Sequence, residues 1–353
     1  MKTMSKLYLA IVCCLFLVAC DMRELCYHHD EHAYKYQVNI KAEYDQEWQY
    51  PLIPANDWKE NWPDTFNVRY SDLIPLLPSG LKVMIYDTIG YDRQNIGRDG
   101  GVVYLNDLEK SFIICNNNTE TIIFNDERDK NVASVTTNVV SATTKSAQQN
   151  SHSGVTYSLL KNINQKRAPE VLFVSYVPSY IPKSTIVPEE LKVLLKPIVY
   201  TYYIRFEFAY GFKYVKLADG ALSGMSESVN LLTQEPSDEL ATVMFNAKVN
   251  SSSYIDARVN SFGLPSDTTN LGKQFNDGKY SCILTLQVVL KNGYRKSFEI
   301  DVTNQVKSQP RGGVIIVKGL RVEDKEAEIE GSFDVDVDEW GDEEIVELPN
   351  IKL

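Results

Sequence analysis

The stretch IVYTYYIRFEFAYGF, residues 198–212, decides the fold. Ile198, Tyr200, Tyr202, Ile204, Phe206, Phe208 and Tyr210 recur at every second position, with Thr201, Arg205 and Glu207 between them. A helix would scatter those seven side chains around its circumference, whereas an extended chain collects them on one face. The segment is a strand with one apolar side.

Reading outward toward the C-terminus, the same grammar repeats in KYVKLADGALSGMSESVNLL (213–232), ELATVMFNAKV (239–249), SYIDARVNSFGL (253–264) and GGVIIVKGLRV (312–322). Between the last two lies YSCILTLQVVLKNGYRKSFEIDVTNQV (280–306), where Asn292-Gly293 separates two alternating runs and predicts a hairpin with a type I′ turn. Toward the N-terminus the strand-like runs are YQVNIKAEY (36–44), LKVMIYD (81–87), VASVTTNVVSATT (132–144) and PEVLFVSYV (169–177). SFIICNNNTETIIFN (111–125) reads as two strands joined by an Asn-rich turn. Residues 46–78 carry Trp48, Trp58 and Trp62 among prolines and form a long excursion between strands. The proline-rich segment 178–197 marks a boundary. The expected fold class is all-β, two tandem antiparallel β-sandwich domains over 34–185 and 186–353, the second with an acidic tail.

Bulk composition agrees. A chain of 353 residues suits two domains, 44% hydrophobic residues can fill a core in each, and 21 tyrosines favour strands. The net charge of -11 is concentrated: residues 323–347 hold 13 acidic side chains and one lysine, which leaves the remainder near neutral (-11 + 12 = +1). No basic stripe follows a phosphate backbone, so nucleic acid is excluded as a partner.

The first nineteen residues are an export signal. Lys2 and Lys6 precede the apolar run Leu7–Ala19, which is too short for a bilayer span of about 20 residues. Leu17-Val18-Ala19-Cys20 then has the form of a bacterial lipobox, in which small residues fit the signal peptidase and the Cys20 thiol takes diacylglycerol. Multiple acyl chains such as palmitate hold a protein on a membrane essentially permanently. Residues 20–33 are the lipidated tether. Asp21 argues for inner-membrane retention by one set of Gram-negative sorting rules and for surface export by another.

Three cysteines remain after processing, Cys26, Cys115 and Cys282, and none sits in a Cys-x-x-Cys motif. Cys115 and Cys282 lie inside strand-like runs and read as small core residues. Cys26, His28, His29 and His32 could bind zinc in principle, but they lie in the tether without a second cluster, and no metal or cofactor is expected. His152 stands alone in a polar loop. Asp334, Asp336 and Asp338 lack EF-hand spacing and read as the wet face of a last strand that buries Phe333, Val335 and Val337. Nucleophile-elbow, P-loop, zincin and dinucleotide motifs are missing, and Ser223–Ser228 lacks the second glycine of an elbow. No catalytic residues are assigned and no enzyme is expected.

The lipobox, RELCYHH (23–29), GALSGMSESVNLL (220–232) and GSFDVDVDEWGDEEIVEL (331–348) together resemble the anchor-type lipoproteins associated with fimbrillins in type V pili. CDMRELCYHH (20–29) is most similar to an uncharacterised lipoprotein family in that superfamily. The resemblance implies transthyretin-like sandwiches and an outer-membrane, surface-exposed location. It also implies a non-catalytic role as anchor or minor subunit, with fimbrillin-like subunits as partners through a donated strand. Arg23 is the sole arginine before Arg69, too close to the lipid for pilin-type processing, which suits an anchor. Asp87-Thr88-Ile89 and Asp267-Thr268-Thr269 resemble the O-glycosylation pattern of such bacteria and mark Thr88 and Thr268. The alternative is a surface lipoprotein that binds glycan for nutrient capture, with Trp48, Trp58 and Trp62 as a stacking platform.

Overall fold

The computed structural model describes residues 36–140, 164–185, 187–249, 254–266, 273–274 and 277–328. The signal, Cys20, Cys26, all four histidines, Thr268 and the run from 329 onward lie outside them. The first strands are β1 (Tyr36–Tyr44), β2 (Gly80–Tyr86), β3 (Tyr91–Gly97), β4 (Gly100–Leu105), β5 (Lys110–Asn116) and β6 (Ile122–Asn125). Next come β7 (Ser134–Thr137), β8 (Gln165–Arg167), β9 (Phe173–Tyr180), β10 (Glu189–Pro197), β11 (Tyr200–Tyr210) and β12 (Val215–Ser226). The last are β13 (Ser228–Asn230), β14 (Leu240–Val249), β15 (Tyr254–Ser261), β16 (Ile283–Leu290), β17 (Arg295–Asp301) and β18 (Gly313–Arg321). Two short helices, α1 (Thr303–Lys307) and α2 (Asp324–Glu328), follow β17 and β18.

The chain forms two all-β units with sandwich and barrel-like sheets. The first sheet closes on itself in the order β1-β10-β9-β5-β2-β3-β4. Val38, Ile40, Val83, Phe112, Phe173 and Leu195 fill its interior. Strands β2 and β5 are buried along their whole length because their outer faces are covered as well. Met84, Ile113 and Cys115 on that outer side pack against Ile122, Val135 and Val229 of a small sheet, β13-β7-β6. Double burial explains why residues 81–86 and 111–115 show little alternation. It also corrects the Asn-rich turn: β5 pairs with β2 and β9, while β6 pairs with β7, so residues 117–121 cross between sheets.

The second unit is the sheet β17-β16-β12-β14-β15-β11-β18. Strand β14 serves both layers, pairing with β12 along most of its length and with β15 through Lys248 and Val249. Tyr202, Ile204 and Phe206 of the diagnostic stretch sit at 0% exposure in its core, opposite Leu222, Leu284 and Leu286. Phe208 packs at the margin, and Tyr210 is exposed at the strand's end. In both units the first strand pairs in parallel with the last, β1 with β10 and β11 with β18. The β16–β17 hairpin forms where expected, but only Gly293 has a positive φ (84°), so the turn is not type I′. The Asn292 side chain instead donates to the carbonyls of Glu326 and Ala327, fastening α2 to the hairpin.

The two halves exchange strands. β8 from the first half pairs in parallel with β14, and β13 from the second half completes the small sheet through β7. Lys166 of β8 reaches Glu227, just before β13, at 2.7 Å, and both side chains are largely buried. Burial alone would raise the Glu227 carboxyl, but bonds from Lys166 and Asn164 hold it below the ordinary glutamate range. Breaking a pair of this kind leaves one charge unpaired in a dry place. Lys166→Ala should therefore lower unfolding free energy by about 3–5 kcal/mol at pH 7. Because the Glu227 pKa is depressed on folding, its contribution is present at neutral pH and is lost as pH falls below about 4.3. Urea denaturation of both proteins at pH 7 and pH 3 checks this: the difference should shrink at the lower pH.

Candidate functional site: sheet edges and the free barrel end

Chemically reactive groups are few among the described residues. The Cys115 and Cys282 thiols are free, enclosed, and pushed up to about 12 by burial, which suits inert core residues. Ser223 bonds the backbone of Ile283 as donor and acceptor and stitches strands together. No group of three or more His, Cys, Asp or Glu side chains is placed to hold a metal among the described residues.

The tryptophans form a fastening. Trp48 is 1% exposed and packs with Leu73, Tyr203 and Val314. Trp62 stands edge-on to Trp48 and Phe66, and its indole N–H donates to the Val68 carbonyl at 2.8 Å. Arg205 lies between the rings of Phe66 and Tyr254, 5.1 and 3.9 Å from their centroids, and bonds the Thr65 carbonyl. Residues 46–78 thus cover the second face of β11, and the three tryptophans do not present a shared open face for a sugar.

Edges are where a β protein meets another strand, since unpaired N–H and C=O groups are templates for pairing. The first sheet closes, yet its β9–β10 ladder pairs Lys196 with Val174 and Pro197 with Phe173, extended by the Ile198 N–H donating to the Leu172 carbonyl at 2.9 Å, and its β3–β4 ladder pairs Gly97 with Gly100. In the second unit β17 has β16 as its one strand partner among the described residues, and its Phe298 and Ile300 remain half-buried. The opposite edge, β18, is covered by side chains along its first half. Gln309 accepts from the Val314 N–H and donates to its C=O at 3.0 and 2.9 Å. Gln305 does the same for Ile316 at 2.9 and 3.2 Å. The Trp58 indole N–H also donates to Gln309. Two amides four residues apart, Gln305 within α1 and Gln309 just past it, therefore satisfy alternate residues of the edge, as a neighbouring strand would. Sequence reasoning missed them, although the spacing Gln305-x-x-x-Gln309 just ahead of a strand start was the available signal.

At the free end of the barrel, Thr88 is exposed in the β2–β3 turn. Asp87 shapes that turn by accepting from the Ile89 and Gly90 N–H groups at 2.8 and 2.9 Å, and it also holds buried Lys110 at 2.6 Å and Asn106 at 3.1 Å. Burial alone would raise its carboxyl, but these donors hold it far below the usual aspartate range.

Residues 71–246 match the family described as a domain of unknown function, DUF5119. The DUF5119 span ends inside β14 and includes both exchanged strands, β8 and β13, so it covers the junction between the units. No curated protein matches. Among solved structures, a candidate adhesin from Bacteroides ovatus aligns with TM-score 0.54 at 17% identity, over 86% of this chain and 97% of that one. A candidate polysaccharide-binding protein from Bacteroides thetaiotaomicron gives 0.44 at 10% identity, over 79% and 90%. The fimbrial anchor protein Mfa2 from Porphyromonas gingivalis gives 0.38 at 9%, over 79% and 90%. The first of these likenesses establishes a shared fold.

Gln309→Ala should destabilise the protein by about 2–4 kcal/mol, because the Val314 N–H and C=O and the Trp58 N–H all lose their partner. Urea unfolding measures the loss, and gel filtration should show self-association through the uncovered β18 edge. Asp87→Asn should cost about 3–5 kcal/mol at pH 7 by leaving Lys110 buried and unpaired. Since the Asp87 pKa falls on folding, the wild type loses this contribution as pH drops below about 4, and the variant's unfolding curves should lack that part of the acid slope.

Proposed function

We propose that this protein is a non-catalytic, lipid-anchored surface protein that serves as anchor or minor subunit of a fimbria-like fibre. The observation that carries this reading is the fold itself: the same two-unit architecture spans 86% of this chain and nearly the whole of a candidate adhesin. The lipobox at Leu17–Cys20 supplies the attachment, through the Cys20 thiol, to the outer membrane. The partner is a fimbrillin-like subunit that adds a strand by backbone pairing. The β17 edge and the sparsely paired β9–β10 seam are the places we favour to receive one, while the start of β18 is covered by glutamines. A glycan-binding reading has less support, because Trp48 is enclosed and Trp58 and Trp62 are engaged internally.

Expression of the full chain and its Cys20→Ala variant in a Gram-negative host tests the reading. The wild type should carry acyl mass on residue 20 and sediment with outer membranes, and the variant should be released. Pull-down of the wild type should bring fimbrillin-like β subunits identified by mass spectrometry. Recovery of an unlipidated wild type, or of a lipidated one that brings no such subunit, would overturn it.

A further inference from the structure

The direction of the barrel strands puts one set of loops around the point where the tether joins the fold. Strand β1 begins at Tyr36, opposite Leu105 at the end of β4 and bridged to Ser184 in the β9–β10 loop. Tyr86 pairs with Tyr91 and Ser111, and Lys110 pairs with Tyr180. The β2–β3 turn (87–90), the β4–β5 loop (106–109) and residues 181–185 and 187–188 between β9 and β10 therefore all lie at the Tyr36 end. The other end holds the β3–β4 turn (98–99) and the passage from β10 into β11.

The Tyr36 end displays aliphatic side chains in the β2–β3 turn and on either side of Lys183–Thr185. Ile89 is 80% exposed, Ile181 66% and Val187 75%. Asp87 pins the turn that carries Ile89. Beside Ile181 and Val187, Lys183 reaches Glu189 at 2.9 Å, Ser184 bridges to Tyr36, and Thr185 donates to the Val187 carbonyl. These side chains are presented outward by structure that is otherwise tied down. Resting on the lipid anchor proposed above, residues 20–35 span about 50 Å at full extension and roughly 20 Å as a coil. The Tyr36 end is thus the part of the fold held within reach of the bilayer.

We propose that the Tyr36 end of the barrel rests on the membrane, with Ile89, Ile181 and Val187 seated at the boundary between headgroups and acyl chains. Aliphatic tips around an attachment point gain by leaving water into that boundary. Asp107 and Glu109, on the β4–β5 loop, keep the contact shallow by staying among the headgroups. The occupant of this surface is the bilayer. The β3–β4 turn faces away from it.

The test uses the full lipidated protein reconstituted into phosphatidylethanolamine-rich vesicles, with Cys26→Ser to remove the tether thiol. An environment-sensitive fluorophore is placed in turn at Ile89→Cys, Ile181→Cys, Val187→Cys and, as the far-end control, Asp99→Cys. The first three should shift to the blue and lose emission to lipid-borne quenchers, and the control should do neither. If the protein floats with the vesicles but all four labels behave alike, the barrel stands off the bilayer and the proposal fails while lipidation stands. A blue shift without lipid quenching places another protein or a second copy on this end and also overturns it. An O-glycan found on Thr88 would hold Ile89 away from lipid and overturn it too. Absence of acyl mass on Cys20, with no flotation, sinks the anchor reading and this inference together, and intact mass distinguishes that outcome from the others.

Discussion

The structure depends on β11 having both faces out of water. One face supplies Tyr202, Ile204 and Phe206 to the main core of the second unit. The other carries Tyr203 and Arg205, which a single sandwich layer would leave wet. Residues 46–78 exist, in structural terms, to cover that second face with aromatic rings. Because they leave the first unit after β1 and return to it at β2, the covering also binds the two units. Burying a large aromatic surface away from water is the dominant favourable contribution available to such a lobe. The strand exchange through β8 and β13 adds a second, independent weld.

The period-two pattern was sufficient for β11 and for the fold class, since a strand with one apolar side announces itself. It was weaker where burial is two-sided. Residues 111–125 show two apolar runs, but nothing local says that they join different sheets, because the partner of each is remote in sequence. The three-residue strands β8 and β13 are too short to carry any period, and their pairing is set entirely by tertiary contact. The Asn-Gly turn forms where the dipeptide places it, but the Asn292 amide bonds two ways that the dipeptide does not reveal, accepting from the Tyr294 N–H within the turn and donating to the Glu326 carbonyl of α2.

The candidate surfaces divide in the same way. Exposed Thr88 could be located from its short pattern, and the tryptophans from their rarity. Their surroundings could not: Trp48 is enclosed by Tyr203 and Val314, more than a hundred residues later in the chain. The glutamine closure of β18 is invisible to hydropathy, since Gln305 and Gln309 read as ordinary polar residues in and just after a short helix. Their role comes from geometry alone, in which a side-chain amide offers the same donor and acceptor pair as a peptide.

The parallel pairing of first and last strands has a mechanical side. Any pull on the chain ahead of Tyr36 loads β1 along its own axis. That strand is held by β10 from Val38 to Tyr44 and by β4 from Tyr36 to Lys41. Its rungs lie across the line of force, so they must yield together in shear and cannot be peeled apart singly. The strand into which residue 35 leads is consequently clamped along both of its sides.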